Sequence, residues 1–165
     1  MSVRSLDSAA ARAYRFRMNL KKVLTPSVVT PSLQGRTKHE VIEALVDMLC
    51  ATGKVADRAL ALNAVLEREA KMSTGMAHGI AIPHGKTDAV ESLVACVGVT
   101  PEEVEFESLD GRPCRIFIMT LSPLNRTGPH IQFLAEISQL LKSPDRRERL
   151  IAATTPDAML RVLTE

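Results

Sequence analysis

The chain has 165 residues, enough for one domain with a real core. Its 45% hydrophobic and 24% charged composition is that of a globular protein, not a disordered or fibrous one. No apolar run approaches the roughly 20 residues that span a bilayer, and no apolar h-region marks a secretory signal, so a cytoplasmic, non-membrane protein is expected. The net charge of +2 is uneven: residues 1–24 carry +5, from Arg4, Arg12, Arg15, Arg17, Lys21 and Lys22 against Asp7, and the remainder carries −3.

A basic arm of this kind can meet nucleic acid or acidic lipid. A solvated terminus is the plainer reading, and no nucleic-acid partner is expected. Beyond it, "GRTKHEVIEALVDMLCATG" reads as a helix: Thr37 and Glu40 have capping-box spacing, Val41, Leu45, Met48 and Leu49 share a face, and Gly53 can stop it. "ADRALALNAVLEREAK" reads as a second helix, capped by Asp57 and ending near Arg68 and Glu69. The middle of the chain is β. "LVACVGVT" from Leu93 is the apolar run of a strand covered on both faces. "VEFESLDGRPCRIFIMTL" reads as two strands about a turn at Asp110-Gly111, with Ile116–Leu121 central. The end is helical again. Thr127 begins a helix with an apolar stripe of Ile131, Leu134, Ile137 and Leu141, and Ser143-Pro144 and Thr155-Pro156 each read as an N-cap followed by proline at the first helical position. The fold class is therefore α/β (α+β), one sheet with helices on both faces. Cys50, Cys96 and Cys114 are odd in number and lack C-x-x-C spacing, so reduced thiols are expected and neither disulfides nor zinc.

The chemistry centres on "GIAIPHGKT", Gly79–Thr87. It is not a phosphate-binding loop: five residues, not four, separate Gly79 from Gly85, and Pro83 removes one of the amides that would cradle phosphate. No metal site is expected, because His78, His84 and His130 lack nearby ligands at metal spacing. No G-x-S-x-G elbow is present. His84 remains as a nucleophile: a neutral imidazole between Pro83 and Gly85, able to attack a phosphoryl group. From the residues alone, a surface-loop or hydrogen-bonded structural histidine is the preferred reading.

The longer stretch "LEREAKMSTGMAHGIAIPHGK" resembles the signature of the phosphotransferase-system (PTS) enzyme IIA domains of fructose–mannitol type, closest to their nitrogen-regulatory branch. "MNLKKVLTP" from Met18, "LDGRPCRIFIMTLSP" and "HIQFLAEISQLL" extend the likeness to the C-terminus. It implies one mixed sheet of about five strands between helical layers, spanning residues 18–165 as an enzyme IIA type-2 domain. Residues 1–17 then form a basic, disordered extension, and Met18 is an alternative start. By resemblance His84 accepts a phosphoryl group from an HPr-type carrier, with His130 and Arg68 stabilising it. Thr74, Gly75 and Gly85 shape the phosphate pocket, and no cofactor is required. His78 stands where the regulatory branch commonly has asparagine. The resemblance admits a regulatory output of nitrogen or potassium type, through a regulatory protein. It equally admits sugar transport through a IIB domain. No IIB or membrane segment lies within these residues, which favours regulation.

Overall fold

The structure, a computed structural model, describes residues 20–165. The expected extension at 1–17, and the alternative start at Met18, lie outside the described residues. A short helix α1 (Leu20–Val23) and a 3-10 turn (Pro26–Val28) lead into strand β1 (Val29–Thr30). Helices α2 (Lys38–Cys50) and α3 (Arg58–Lys71) follow, then β2 (Ile80–Ala81), β3 (His84–Lys86), β4 (Val94–Val104) and β5 (Cys114–Ser122). Helices α4 (Thr127–Leu140), α5 (Pro144–Ala152) and α6 (Pro156–Thr164) complete the chain.

The helix ends obey local rules. Thr37 Oγ1 accepts from the Glu40 amide, Asp57 Oδ1 from Leu60, Ser143 Oγ from Arg146 and Thr155 Oγ1 from Ala158. Each side chain thus satisfies one of the amides that a helix start leaves open. Glu40 reaches back to the Arg36 amide, one residue before the cap. Gly53, at φ +79°, follows α2, and its amide bonds back to Cys50.

The five strands make one mixed sheet in the order β1-β4-β5-β2, with β3 also on β5. Central β4 and β5 are antiparallel; β1, β2 and β3 join them in parallel. Both faces are covered. Cys96 lies against the Leu45 carbonyl of α2, and Gly85 lies so close to α3 that a Cβ would meet the Val65 amide nitrogen at 3.1 Å. Cys96 pairs with Met119 and Gly85 with Leu121, so α2 and α3 share one face. Thr120 points the other way and bonds to His130 of α4. The sheet residues Val94–Thr100 and Ile116–Ser122 are buried accordingly.

Four expectations change. Helix α3 runs on past Glu69 to Lys71. "VEFES" is not a separate strand: Val104 ends a single β4 that passes a register shift after Val99, and residues 105–113 form the loop to β5. The buried stripe of α4 is His130, Phe133 and Ile137, continued by Leu141, while Ile131 is 60% exposed. Finally, "GIAIPHGK" is not a free loop. Ile80 and Ala81 pair with Ile116 and Phe117, and His84–Lys86 resume the same register on Thr120–Ser122. It is one edge strand interrupted at Ile82-Pro83, as expected where a proline lacks the ladder amide.

Candidate functional site

His84 opens β3 on the edge of the sheet, half-buried, on the face that carries Thr120. Its Nδ1 lies 2.9 Å from the Ile82 carbonyl. A carbonyl oxygen only accepts, so Nδ1 holds the proton and the lone pair is on Nε2. Burial lowers the pKa of His84 from its ordinary value, and nearby Arg68 lowers it further, while the Ile82 carbonyl and Glu69 act in the opposite sense. The ring is therefore neutral at physiological pH with Nε2 available for attack.

The Ile82 carbonyl is itself held in place. The Ile82 amide donates to the Thr74 carbonyl at 3.0 Å. The Thr74 amide and hydroxyl both donate to the Glu69 carboxylate, at 2.9 and 2.5 Å. Glu69 also accepts from Lys38 Nζ at 2.7 Å, whose ammonium lies 5.0 Å from the Phe106 ring centre. A buried carboxylate with this many donors satisfies the rule that a buried charge must be paired. The start of α2, the end of α3 and the Ser73-Thr74-Gly75 turn are thereby tied to the backbone that sets the His84 tautomer.

The second histidine arrives from α4. His130 is buried, its ring centre 5.0 Å from that of His84, and its Nδ1 is 3.0 Å from Thr120 Oγ1. Burial first, then the charges of the His84 and Lys86 side chains, push its pKa down to about 4, so it is a neutral ring at physiological pH. The start of α4 has no side-chain cap, and Pro129 has no amide, so the Thr127 and Gly128 amides face outward at the positive end of the helix. Arg68, at the end of α3, donates to the Met72 carbonyl at 2.7 Å. The structure thus brings His84, His130 and Arg68 into one neighbourhood from β3, α4 and α3.

Thr74, Gly75 and Gly85 occupy different surroundings. Thr74 gives its hydroxyl to Glu69. A Cβ on Gly75 would meet Ser108 Oγ at 2.6 Å, and one on Gly85 would meet the α3 backbone. These residues seat the edge strand against the 105–113 loop and α3. The freedom at Gly85 is close packing, not open space. His78, at φ +66° beside Gly79 at +75°, forms the tight turn before β2, and its amide donates to Asp110. Asparagine and histidine both adopt that left-handed backbone more readily than most residues.

Sequence reading passed over Thr120, Glu69 and Lys86. Only pairing across the sheet reveals Thr120. The signal for Lys86 was present: two residues after His84 on a strand, it must leave the same face.

A family model described as the phosphoenolpyruvate-dependent sugar phosphotransferase system, EIIA 2, matches residues 22–165. The chain belongs to this family. Its members work in phosphotransfer. Among relatives, the EIIA 2 chain is 38% identical over 129 residues to the PTS system fructose-specific EIIA component of Haloferax volcanii, covering 78% of this chain and 84% of that one. It is 32% identical over 148 residues to the PTS system fructose-specific EIIABC component of Bacillus subtilis; this covers 90% of the chain but only 23% of the relative, so the chain spans about a quarter of that protein's length. The crystal structure of nitrogen regulatory protein IIA-Ntr from Neisseria meningitidis superposes with a TM-score of 0.82 at 26% identity, over 88% of this chain and 99% of that one. Enzyme IIA mannitol, determined in complex with phosphorylated IIB mannitol from Escherichia coli, superposes with a TM-score of 0.73 at 26% identity, over 85% and 96%. Among the described residues no helix is long and apolar enough to cross a membrane.

Proposed function

We propose that this EIIA 2 domain carries a phosphoryl group transiently on Nε2 of His84, taken from the phosphohistidine of an HPr-type carrier. The observation that supports it most is the Nδ1–Ile82 carbonyl bond, which leaves the Nε2 lone pair free on a neutral ring. In the transfer, Nε2 forms a bond to phosphorus as the carrier's N–P bond breaks, and that electron pair stays on the carrier's ring. The proton stays on Nδ1, donated to the Ile82 carbonyl, whose oxygen stabilises the positive charge the His84 ring acquires. Arg68 releases the Met72 carbonyl to bind a phosphoryl oxygen with its planar fork. His130, neutral and fixed by Thr120, offers a ring N–H, and the open amides of α4 offer more. Exposed Met72, Met76, Leu124 and Ile131, neighbours in sequence of these groups, suit a partner that docks and leaves.

The output is regulatory, through proteins that distinguish the phosphorylated from the unphosphorylated domain, a reading supported by the likeness to IIA-Ntr. A second reading, phosphate relay to a fructose- or mannitol-type IIB domain, is favoured by the fructose-specific relative of similar length. Incubation with phosphorylated HPr-type carrier should place acid-labile phosphate on wild type and none on His84→Ala. Undiminished labelling of the variant would overturn the central claim. Onward transfer to a IIB domain would select transport, and capture of partners by phosphorylation state without onward transfer would select regulation.

A further inference from the structure

A phosphoryl group brings about two negative charges and three acceptor oxygens. Arg68 can answer one of those charges, and His130, with its pKa near 4, answers none at neutral pH. The opposite flank of the site holds a second cation. Lys86 follows His84 by two residues on β3, so both side chains leave the same face of the sheet, each half-exposed. Its Nζ donates to Thr127 Oγ1 at 2.8 Å. Thr127 is the first residue of α4, about one turn before His130 on that helix. The ammonium is thus held between the start of α4 and the strand of the nucleophile, close enough that His130 feels its charge. Its acceptor there is a neutral hydroxyl, a weaker partner than a charged phosphoryl oxygen.

We propose that Lys86 is a further catalytic residue of the phosphoryl transfer: its ammonium leaves Thr127 and binds an oxygen of the phosphoryl group on His84, opposite Arg68. It moves no proton and makes no covalent bond; it offsets charge while the Nε2–P bond forms and the donor's N–P bond breaks. This inference rests on His84 being the acceptor. Lysine suits the task as a compact charge on a flexible stem that exchanges one oxygen partner for another. The two cations, Arg68 from α3 and Lys86 from β3, then clamp the group from opposite flanks, each released from a neutral oxygen of its own flank.

The test labels wild type, Lys86→Ala, Lys86→Arg and His84→Ala with two donors: a phosphorylated HPr-type carrier, and potassium phosphoramidate, whose P–N bond breaks to release ammonia without any docking surface. Lys86→Ala should slow labelling on the order of tenfold or more with both donors, and Lys86→Arg should recover most of the rate. Equal rates for Lys86→Ala and wild type, with label confined to His84, would overturn this inference alone. A defect seen only with the carrier would overturn it too, by making Lys86 a docking group. Label on His84→Ala, or none on wild type, would overturn the histidine reading and this inference with it. Lys86→Gln, which keeps a stem and loses the charge, serves if the alanine variant does not fold.

Discussion

The two flanks of His84 are built in opposite ways. On the α3 side the polar groups are saturated: Glu69 holds Lys38 and both donors of Thr74, Thr74 holds Ile82, and Ile82 holds the imidazole. On the α4 side they are not. Among the described residues the helix start has no side-chain cap, Lys86 bonds to a single hydroxyl, and the buried Ser122 hydroxyl has no partner. A saturated flank fixes geometry, because moving any member strands a buried charge or donor. An open flank is suited to a charged group, because its donors give up only weak, neutral partners to bind one. Arg68 stands between the two, anchored on α3 but, among the described residues, bonded to the Met72 backbone carbonyl alone.

The largest break in this contrast should come from Glu69→Ala. It leaves Lys38 and the Thr74 donors without their carboxylate and should cost about 2–3 kcal/mol in denaturant unfolding. It should also loosen the His84 tautomer, read from the ring ¹⁵N shifts; a variant as stable as wild type would show that the α3 flank is no framework. Next comes pH. Because His130 and His84 have pKa values lowered on folding, the folded state resists their protonation. Stability should be unaffected by them above about pH 6.5, decline as pH falls from there, and level off below the folded values, near 4 for His130. His130→Asn should flatten that decline, and an unchanged slope would place His130 in solvent. Arg68→Ala should change stability by no more than about 0.5 kcal/mol while slowing phosphorylation; a collapse of the fold would move Arg68 into the framework. The smallest effect is at the His78 turn, where His78→Asn should leave phosphorylation unchanged and shift the unfolding midpoint little, since both residues accept the left-handed backbone.

Much of the fold was legible because its signals are local. Thr37, Asp57, Ser143 and Thr155 each act on an amide three residues away, and the long apolar runs of β4 and β5 announce buried strands. The misreadings share a cause. Ile131 and His130 are adjacent on α4, and helical periodicity admits a stripe through either. The apolar choice lost because Thr120, ten residues back in sequence, gives His130 a buried partner. Likewise Ile80–Ala81 and His84–Lys86 are too short to carry a strand pattern, and they are strands only because β5 offers them a continuous register.

For the site, the sequence by itself determined the chemical groups: a histidine behind a proline, an arginine at a helix end, a second histidine in the first turn of another helix. It also carried the family signature that joined them. The tertiary structure decided which nitrogen of His84 is free, that Thr74 serves Glu69, that Gly85 exists to let α3 approach, and that Lys86 stands beside the site and not outside it. Those facts depend on hydrogen bonds and close contacts between segments far apart in the chain, whose partners are set by strand register and helix packing and not by any neighbouring residue.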